Sequence, residues 1–283
     1  MDWLLGNHRS SSPVGNAGGR LNDFKSDLHD AYRSMNTLER QLWNEAYSTT
    51  VHQLGLRPNM QWNRGIMWTC MGACGVVFLV WQFAQKDVTV PGIPAEYQTF
   101  RARMRLRDWM ISNFTSKTDD IQSGRWWNMV TSAFSHIQPW HLIANLITFK
   151  TFSHYLIYSG IPPLRYISLI LGSAVAGSLV FTLQQGQLER RDHIKRLGLG
   201  LSGVCMGLGV AAAAVVPRAQ VAIMGVVPVP LWALVLGYVA FDSYMLDSPA
   251  SKTGHGAHIG GAAFGGLYFL LMLRGKLPLA KWF

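Results

Sequence analysis

The chain has 283 residues, of which 14% are charged and 49% apolar, and its formal charge is +10. Soluble globular domains are about one quarter charged, so this composition argues against an ordinary soluble domain. The basic residues lie mostly between apolar stretches and form no dense stripe, which favours lipid headgroups and membrane orientation over nucleic acid as their partner.

Residues 1–20, with Arg-Ser-Ser-Ser-Pro-Val-Gly-Asn-Ala-Gly-Gly from Arg9 to Gly19, are expected to form a disordered N-terminus. No apolar core of a secretory signal follows the start. Residues 21–60 form the next region, and 21–55 of it reads as a polar amphipathic helix. There Leu21, Phe24, Leu28, Tyr32, Met35, Leu38, Leu42 and Ala46 recur at intervals of three and four.

Residues 61–275 hold six apolar segments, with a short tail at 276–283. The first segment, Ile66–Ala84, has 19 residues and no charge. The others are Met129–Phe149, Leu164–Leu183, Leu197–Val216, Val221–Phe241 and Ala257–Leu273. About 20 helical residues cross a hydrocarbon core of roughly 30 Å, and no strand-like alternation is visible. The expectation is an all-α membrane protein with a bundle of six transmembrane helices. The first loop, 85–127, carries Arg101, Arg103, Arg105 and Arg107 beside Met104, Leu106, Trp109, Met110, Ile111 and Phe114. That mixture predicts a partly embedded interfacial lobe. Pro139 should start the second helix and leave His136 in the preceding loop. Pro228 and Pro230 should kink or interrupt the fifth span. Cys70, Cys74 and Cys205 sit in apolar stretches without metal-like spacing and read as buried or lipid-facing.

Ionisable groups within membrane spans are costly and mark function. The second span presents His136, His141 and Asn145. The fourth opens on Gly200-Leu201-Ser202-Gly203, and the sixth on His255-Gly256-Ala257-His258. Alternating topology puts all of these in one half of the membrane. Gly203, Gly207 and Ala211 make a smooth face on the fourth helix, and Gly261 with Gly265 continue the face of His258, so the two backbones are able to approach closely. Ser202 and His258 then have the roles of nucleophile and general base. His141, Asn145 and the free N–H groups near Ser202 are candidates to stabilise an oxyanion. No third carboxylate stands out, and Asp242 and Asp247 read as solvated or paired residues at the end of the fifth span. With no HExxH and no acid in these motifs, no metal or other cofactor is expected. A transporter would need polar groups across both leaflets, whereas here they gather in one.

These residues resemble the rhomboid intramembrane serine proteases. The resemblance rests on Arg125-Trp126-Trp127, on His136-Ile137-Gln138-Pro139-Trp140-His141 through Asn145, on Gly200-Leu201-Ser202-Gly203, and on Ala257-His258-Ile259-Gly260-Gly261 with Gly265. It implies a rhomboid-like six-helix catalytic core, a Ser202–His258 dyad, and oxyanion stabilisation by His141, Asn145 and the Ser202 backbone. His136, Gly200, Gly203, Gly261, Gly265, Arg125 and Trp126 would give structural support. Implied partners are single-span membrane protein substrates and the lipid bilayer, with no nucleic acid. Within the family the chain is most similar to the mitochondrial presenilin-associated type, which implies the mitochondrial inner membrane, with another organellar membrane as the alternative. Residues 1–60 hold no span, a departure from that type's extra leading helix; either that helix is absent or an upstream piece precedes this chain. The resemblance also covers catalytically silent relatives that bind or chaperone membrane helices, though those usually lack the serine or the histidine.

Overall fold

A computed structural model describes residues 37–86, 89–193, 195–223, 226–248, 250–251 and 253–278. The region expected to be disordered, and residues 21–36 of the amphipathic stretch 21–55, lie outside the described residues. The described part of that stretch is helical, α1 (Thr37–Gln53), in a compact unit that ends at Gly55.

The second compact unit, from Leu56 onward, is mostly helical. Its elements are α2 (Arg57–Gln85), α3 (Phe100–Asn113), the single turn α4 (Asn128–Thr131), α5 (Pro139–Tyr158), α6 (Pro163–Asp192), α7 (Ser202–Val215), β1 (Gln220–Ile223), β2 (Val227–Pro230), α8 (Leu231–Met245) and α9 (His255–Tyr268), which continues as a π-helical turn through Leu273. Among the described residues, three helical stretches are long and apolar enough to cross a membrane: Arg57–Gln85, Pro163–Asp192 and His255–Leu273. Ser202–Val215 and Leu231–Met245 are apolar but shorter. Many large apolar side chains face outward, among them Leu79, Ile147, Leu164, Leu183, Leu236, Leu267 and Leu271. So much exposed apolar surface is foreign to soluble monomers and suits a multi-pass membrane protein.

Proline sets the helix starts. Pro139 and Pro163 occupy the first turns of α5 and α6, where the missing N–H costs nothing. At the fifth apolar segment the expectation of a helix from Val221 is corrected. Gln220–Ile223 and Val227–Pro230 pair as antiparallel strands, with Val221 opposite Val229 and Ala222 opposite Pro228, and the helix begins only at Leu231. Two prolines within three residues remove the N–H donors a helix would need, yet they fit a two-stranded ribbon whose outer edges need no donor. The fold is therefore not purely α-helical.

The centre of the unit is the contact of α6, α7 and α9, made through residues without bulk. A methyl group added at Gly261 of α9 would overlap the carbonyl oxygen of Gly203 on α7, and one at Gly265 would overlap that of Gly207. One added at Gly203 would sit 3.0 Å from the Ala257 carbonyl oxygen, and one at Gly177 of α6 would sit 2.9 Å from that same oxygen. Backbone thus rests on backbone along three helices, as small-residue faces permit in a bilayer. Phe149, Phe152, Leu156, Tyr166, Leu169, Leu201, Leu208 and Leu231 fill the surrounding core.

The first loop is organised rather than open. Arg103 of α3 is buried; its side chain donates to the carbonyls of Gln98 (3.1 Å) and Lys86 and lies 5.2 Å from the Phe83 ring centre. Arg125 donates from Nε to the buried carboxylate of Asp120 at 3.1 Å, and Asp120 also accepts from the backbone N–H of Lys117. Trp126 stands exposed beside Trp127, a placement suited to headgroup depth.

The Gly261→Ala change should cost about 1–3 kcal/mol through overpacking, read as a lower thermal unfolding midpoint of the full chain in detergent. Gly75→Ala, whose methyl would meet nothing within 4 Å, should leave that midpoint unchanged or slightly raised.

Candidate active site

The site is built around the start of α7. Five residues before Ser202 the chain is apolar enough for a helix, but it runs extended instead. Gly198 exchanges two backbone hydrogen bonds with Ser116, of 2.8 and 2.9 Å, and the Gly200 N–H donates to the Ser132 carbonyl at 2.9 Å. Gly200 has φ +120°, a region that side chains rarely enter. A Cβ there would also lie 2.6 Å from Cε1 of His141. Glycine is therefore required twice over, by conformation and by space.

Ser202 is the first residue of α7, with Leu201 as its cap. The first N–H groups of a helix have no partner within it, and here they flank the serine. The Leu201 N–H donates to Nε2 of His136 at 3.2 Å. That bond requires Nε2 to be unprotonated, so His136 is a buried support for the serine loop and not a group facing substrate. Its own loop is held to α2, where Trp81 Nε1 donates to Ser135 Oγ at 2.6 Å and Gln82 donates to the Ile137 carbonyl at 2.8 Å. The His136 and His141 rings meet edge-on, with centroids 5.1 Å apart.

His141 and Asn145 share one face of α5. Asn145 is buried; its Nδ2 donates back to the His141 carbonyl at 2.8 Å, and its Oδ1 lies 3.8 Å from the Cys205 thiol of α7. One N–H of the Asn145 amide remains for another acceptor.

His258 lies on the first turn of α9. Its Nδ1 is 2.9 Å from Oδ1 of Asp242 on α8. The same oxygen is 2.6 Å from Nδ1 of His255, whose Nε2 meets Ser251 Oγ at 2.7 Å. Asp242 and His255 are both buried. Gln184 of α6 ties the two helices together at this point, its oxygen accepting from the Gly256 N–H at 3.0 Å while its nitrogen donates to the Leu246 carbonyl.

A carboxylate against His258 therefore exists, and the expectation of a pair without a third acid is corrected. The residue is Asp242, which of the two readings, solvated or paired, is paired, because α8 turns it inward against α9. Its partners follow 13 and 16 residues later, across a loop, so no helical spacing announces them.

Ser202, His258, His141, Asn145, Gly200, Gly203 and Asp242 all line one cavity of about 770 Å³. Gly261 and Gly265 lie instead in the α7–α9 contact, and Arg125 and Trp126 in the first loop. Among the described residues, no hydrogen bond joins Ser202 Oγ to His258, although both residues line the same cavity. Resting sites are commonly this loose.

The rhomboid domain model matches residues 123–275, more than half of the chain. The chain belongs to the rhomboid family. Among its relatives it is 27% identical over 184 residues to RHOMBOID-like protein 12, mitochondrial, of Arabidopsis thaliana, covering 62% of this chain and 54% of that one. It is 32% identical over 143 residues to Rhomboid protein 1, mitochondrial, of Saccharomyces cerevisiae, covering 50% and 40%. It is 29% identical over 188 residues to Presenilin-associated rhomboid-like protein A, mitochondrial, of Danio rerio, covering 62% and 46%. The chain spans about half the length of these relatives. This rhomboid chain shares comparable identity with plant, yeast and fish proteins, a spread that does not single out the presenilin-associated type.

The Gly200→Ala substitution combines backbone strain with a clash, whereas Gly92→Ala, also at positive φ (+86°) but in open space, carries strain alone. Strain of this kind costs on the order of 1–3 kcal/mol. Thermal unfolding in detergent should show the larger loss for Gly200→Ala, and the Gly92→Ala midpoint should lie between that variant and the parent chain.

Proposed function

We propose that this rhomboid-family protein is an intramembrane serine endopeptidase that hydrolyses peptide bonds in or near transmembrane segments of single-span membrane proteins. The reading places six helices across the bilayer, α2, α5, α6, α7, α8 and α9, with the first loop partly embedded. The names of its relatives carry the word mitochondrial, and within that organelle the reading puts the protein in the inner membrane.

The single observation that carries the reading is the polarity of the His258 ring. Nδ1 is engaged by the Asp242 carboxylate at 2.9 Å, which fixes the proton on that nitrogen and leaves Nε2 with its lone pair toward the cavity that Ser202 also lines. In this tautomer the ring is able to accept the serine proton, as the base of a Ser-His-acid site does. Ser202 Oγ attacks the scissile carbonyl carbon, and its proton passes to His258 Nε2. The positive imidazolium is stabilised by Asp242. The negative carbonyl oxygen is met by the unpaired N–H groups at the start of α7 and by His141 and the free Asn145 amide N–H. His258 then protonates the leaving amine, and water from the cavity releases the acyl group by the same path in reverse. Donors already fixed by the fold need no rearrangement as charge develops, which is why removing one usually costs about 10²–10³ in rate.

Asp242 is a positioning residue in this scheme, acting through His258. Its removal should not abolish the chemistry but should unfix the tautomer.

Cleavage of a single-span reporter reconstituted in liposomes should vanish in Ser202→Ala and in His258→Ala, and a serine-reactive phosphonate should label the parent chain at Ser202. Asp242→Asn should lower cleavage by about 10²-fold or more, within the range that general-base catalysis contributes, with phosphonate labelling slowed in parallel. Parent-level cleavage by both the Ser202→Ala and His258→Ala variants would contradict the assignment.

A further inference from the structure

The Asp242 carboxylate serves two imidazoles, and one of them is not needed for hydrolysis. His255 is buried to 2% exposure, and its Nδ1 approaches the same carboxylate oxygen more closely than His258 does. The three candidate ligand atoms, one from each residue, lie within 4.8 Å of one another. Two imidazole nitrogens and one carboxylate oxygen, with a fourth position open to a cavity, form the donor set that zinc prefers where it keeps an exchangeable ligand. Tetrahedral zinc with bonds of about 2.0–2.2 Å sets its ligand atoms roughly 3.4 Å apart, so the two Nδ1–Oδ1 separations of 2.6 and 2.9 Å would open by less than about 1 Å, within a cluster that already spans no more than 4.8 Å. Charge favours this too, since a divalent ion would pair with a carboxylate that is 3% exposed.

We propose that Asp242, His255 and His258 form an inhibitory site for a divalent transition-metal ion of the zinc type. The inhibitory half of the proposal rests on the endopeptidase reading; the binding half does not. In the metal-free arrangement each Nδ1 carries the proton that it donates to Asp242, and His255 Nε2 accepts from Ser251 Oγ. When the ion binds both Nδ1 atoms, the two Nδ1–H···O bonds are lost and three dative bonds form. Each displaced proton moves through solvent to the other nitrogen of its own ring, so neither imidazole gains or loses a proton. His258 Nε2 is then an N–H. It has no lone pair for the Ser202 proton, and attack stops while the nucleophile stays in place. His255 Nε2 becomes a donor, and Ser251 Oγ accepts from it. The ion reaches the site through the substrate cavity, which Asp242 and His258 line.

The test uses the full chain in detergent with Ser202→Ala, so that binding is read without activity. Titration with Co²⁺ should give the intense visible bands of a four-coordinate site, saturating at one ion per chain and bleached by Zn²⁺. His141→Ala, on α5, should keep them. His255→Ala and His255→Gln, the second retaining a polar side chain for Asp242 and Ser251, should each weaken binding beyond the about 10–100-fold that changes around a metal's ligands cost. Absence of saturable binding, or Co²⁺ affinity retained in either His255 variant, overturns the site. In the parent chain Zn²⁺ should suppress reporter cleavage by at least about tenfold and a chelator should restore it; cleavage that continues with the ion bound overturns the inhibitory role. A chain that binds Co²⁺ as described yet never cleaves a reporter refutes the endopeptidase reading and leaves the site standing.

Discussion

Everything in the site depends on how closely α7 and α9 approach. Gly203 and Gly207 on one helix meet Gly261 and Gly265 on the other at van der Waals limits, with the glycines of α6 and α9 closing the third side. In a bilayer no hydrophobic drive pulls helices together, because lipid chains are as apolar as leucine. What favours contact is close packing, and the closest packing needs faces without side chains. The consequence is positional. Each of these two helices carries a residue of the proposed site at or near the first turn, Ser202 on α7 and His258 on α9, and the glycine contact sets the two helix starts beside one cavity. A side chain at Gly261 would overlap the Gly203 carbonyl and part the two helices, which in the proposed mechanism moves the base from the nucleophile.

Around that contact, a series of polar contacts runs from the first loop to the last helix, with His136 Nδ1 and Ser173 Oγ left without a partner among the described residues. Ser116 and Ser132 hold the strand-like segment before Ser202, His136 holds Leu201, and α2 holds the loop of His136 through Trp81 and Gln82. On the other side Gln184 fixes the α8–α9 corner that presents Asp242 to His258. Buried polar groups are expensive unless paired, so these bonds both preserve the fold and immobilise the site. The Asp242 carboxylate is the point where the two requirements meet, as it pairs with the buried His255 and with His258, which is 18% exposed toward the cavity.

Much of this was legible in the residues. Apolar stretches of spanning length located the helices, because hydropathy reports the part of a helix that lipid must cover. Pro139 marked the start of α5 for a local steric reason. The ordered motifs around His141, Ser202 and His258 pointed to one pocket because alternating helices bring their like ends together. The places where the reading fell short are those where structure is not set by local pattern. Helix α6 runs to Asp192, well past the apolar Leu183, because Gln184 to Asp192 are adequate helix formers that no longer need lipid. The apolar residues 197–201 are not helical, since Gly200 at φ +120° and the Ser116 bridge impose another course. Gln220–Ile223 and Val227–Pro230, in a stretch read as the start of a span, pair as a ribbon instead, with proline denying the helix its donors. Asp242 escaped because its meaning lies in a contact across a loop, and an acid at the end of a span looks the same in sequence whether it faces water or a histidine.

The central claim is that Ser202 and His258 react as one unit held by the α7–α9 contact. An experimental structure of the full chain after reaction with a serine-directed phosphonate tests it most directly. The account predicts phosphorus bonded to Ser202 Oγ, His258 Nε2 within hydrogen-bond reach of about 2.6–3.2 Å of an atom at that centre, and Asp242 still on Nδ1. A label on another residue, or a His258 ring on a helix that does not touch α7, would contradict it.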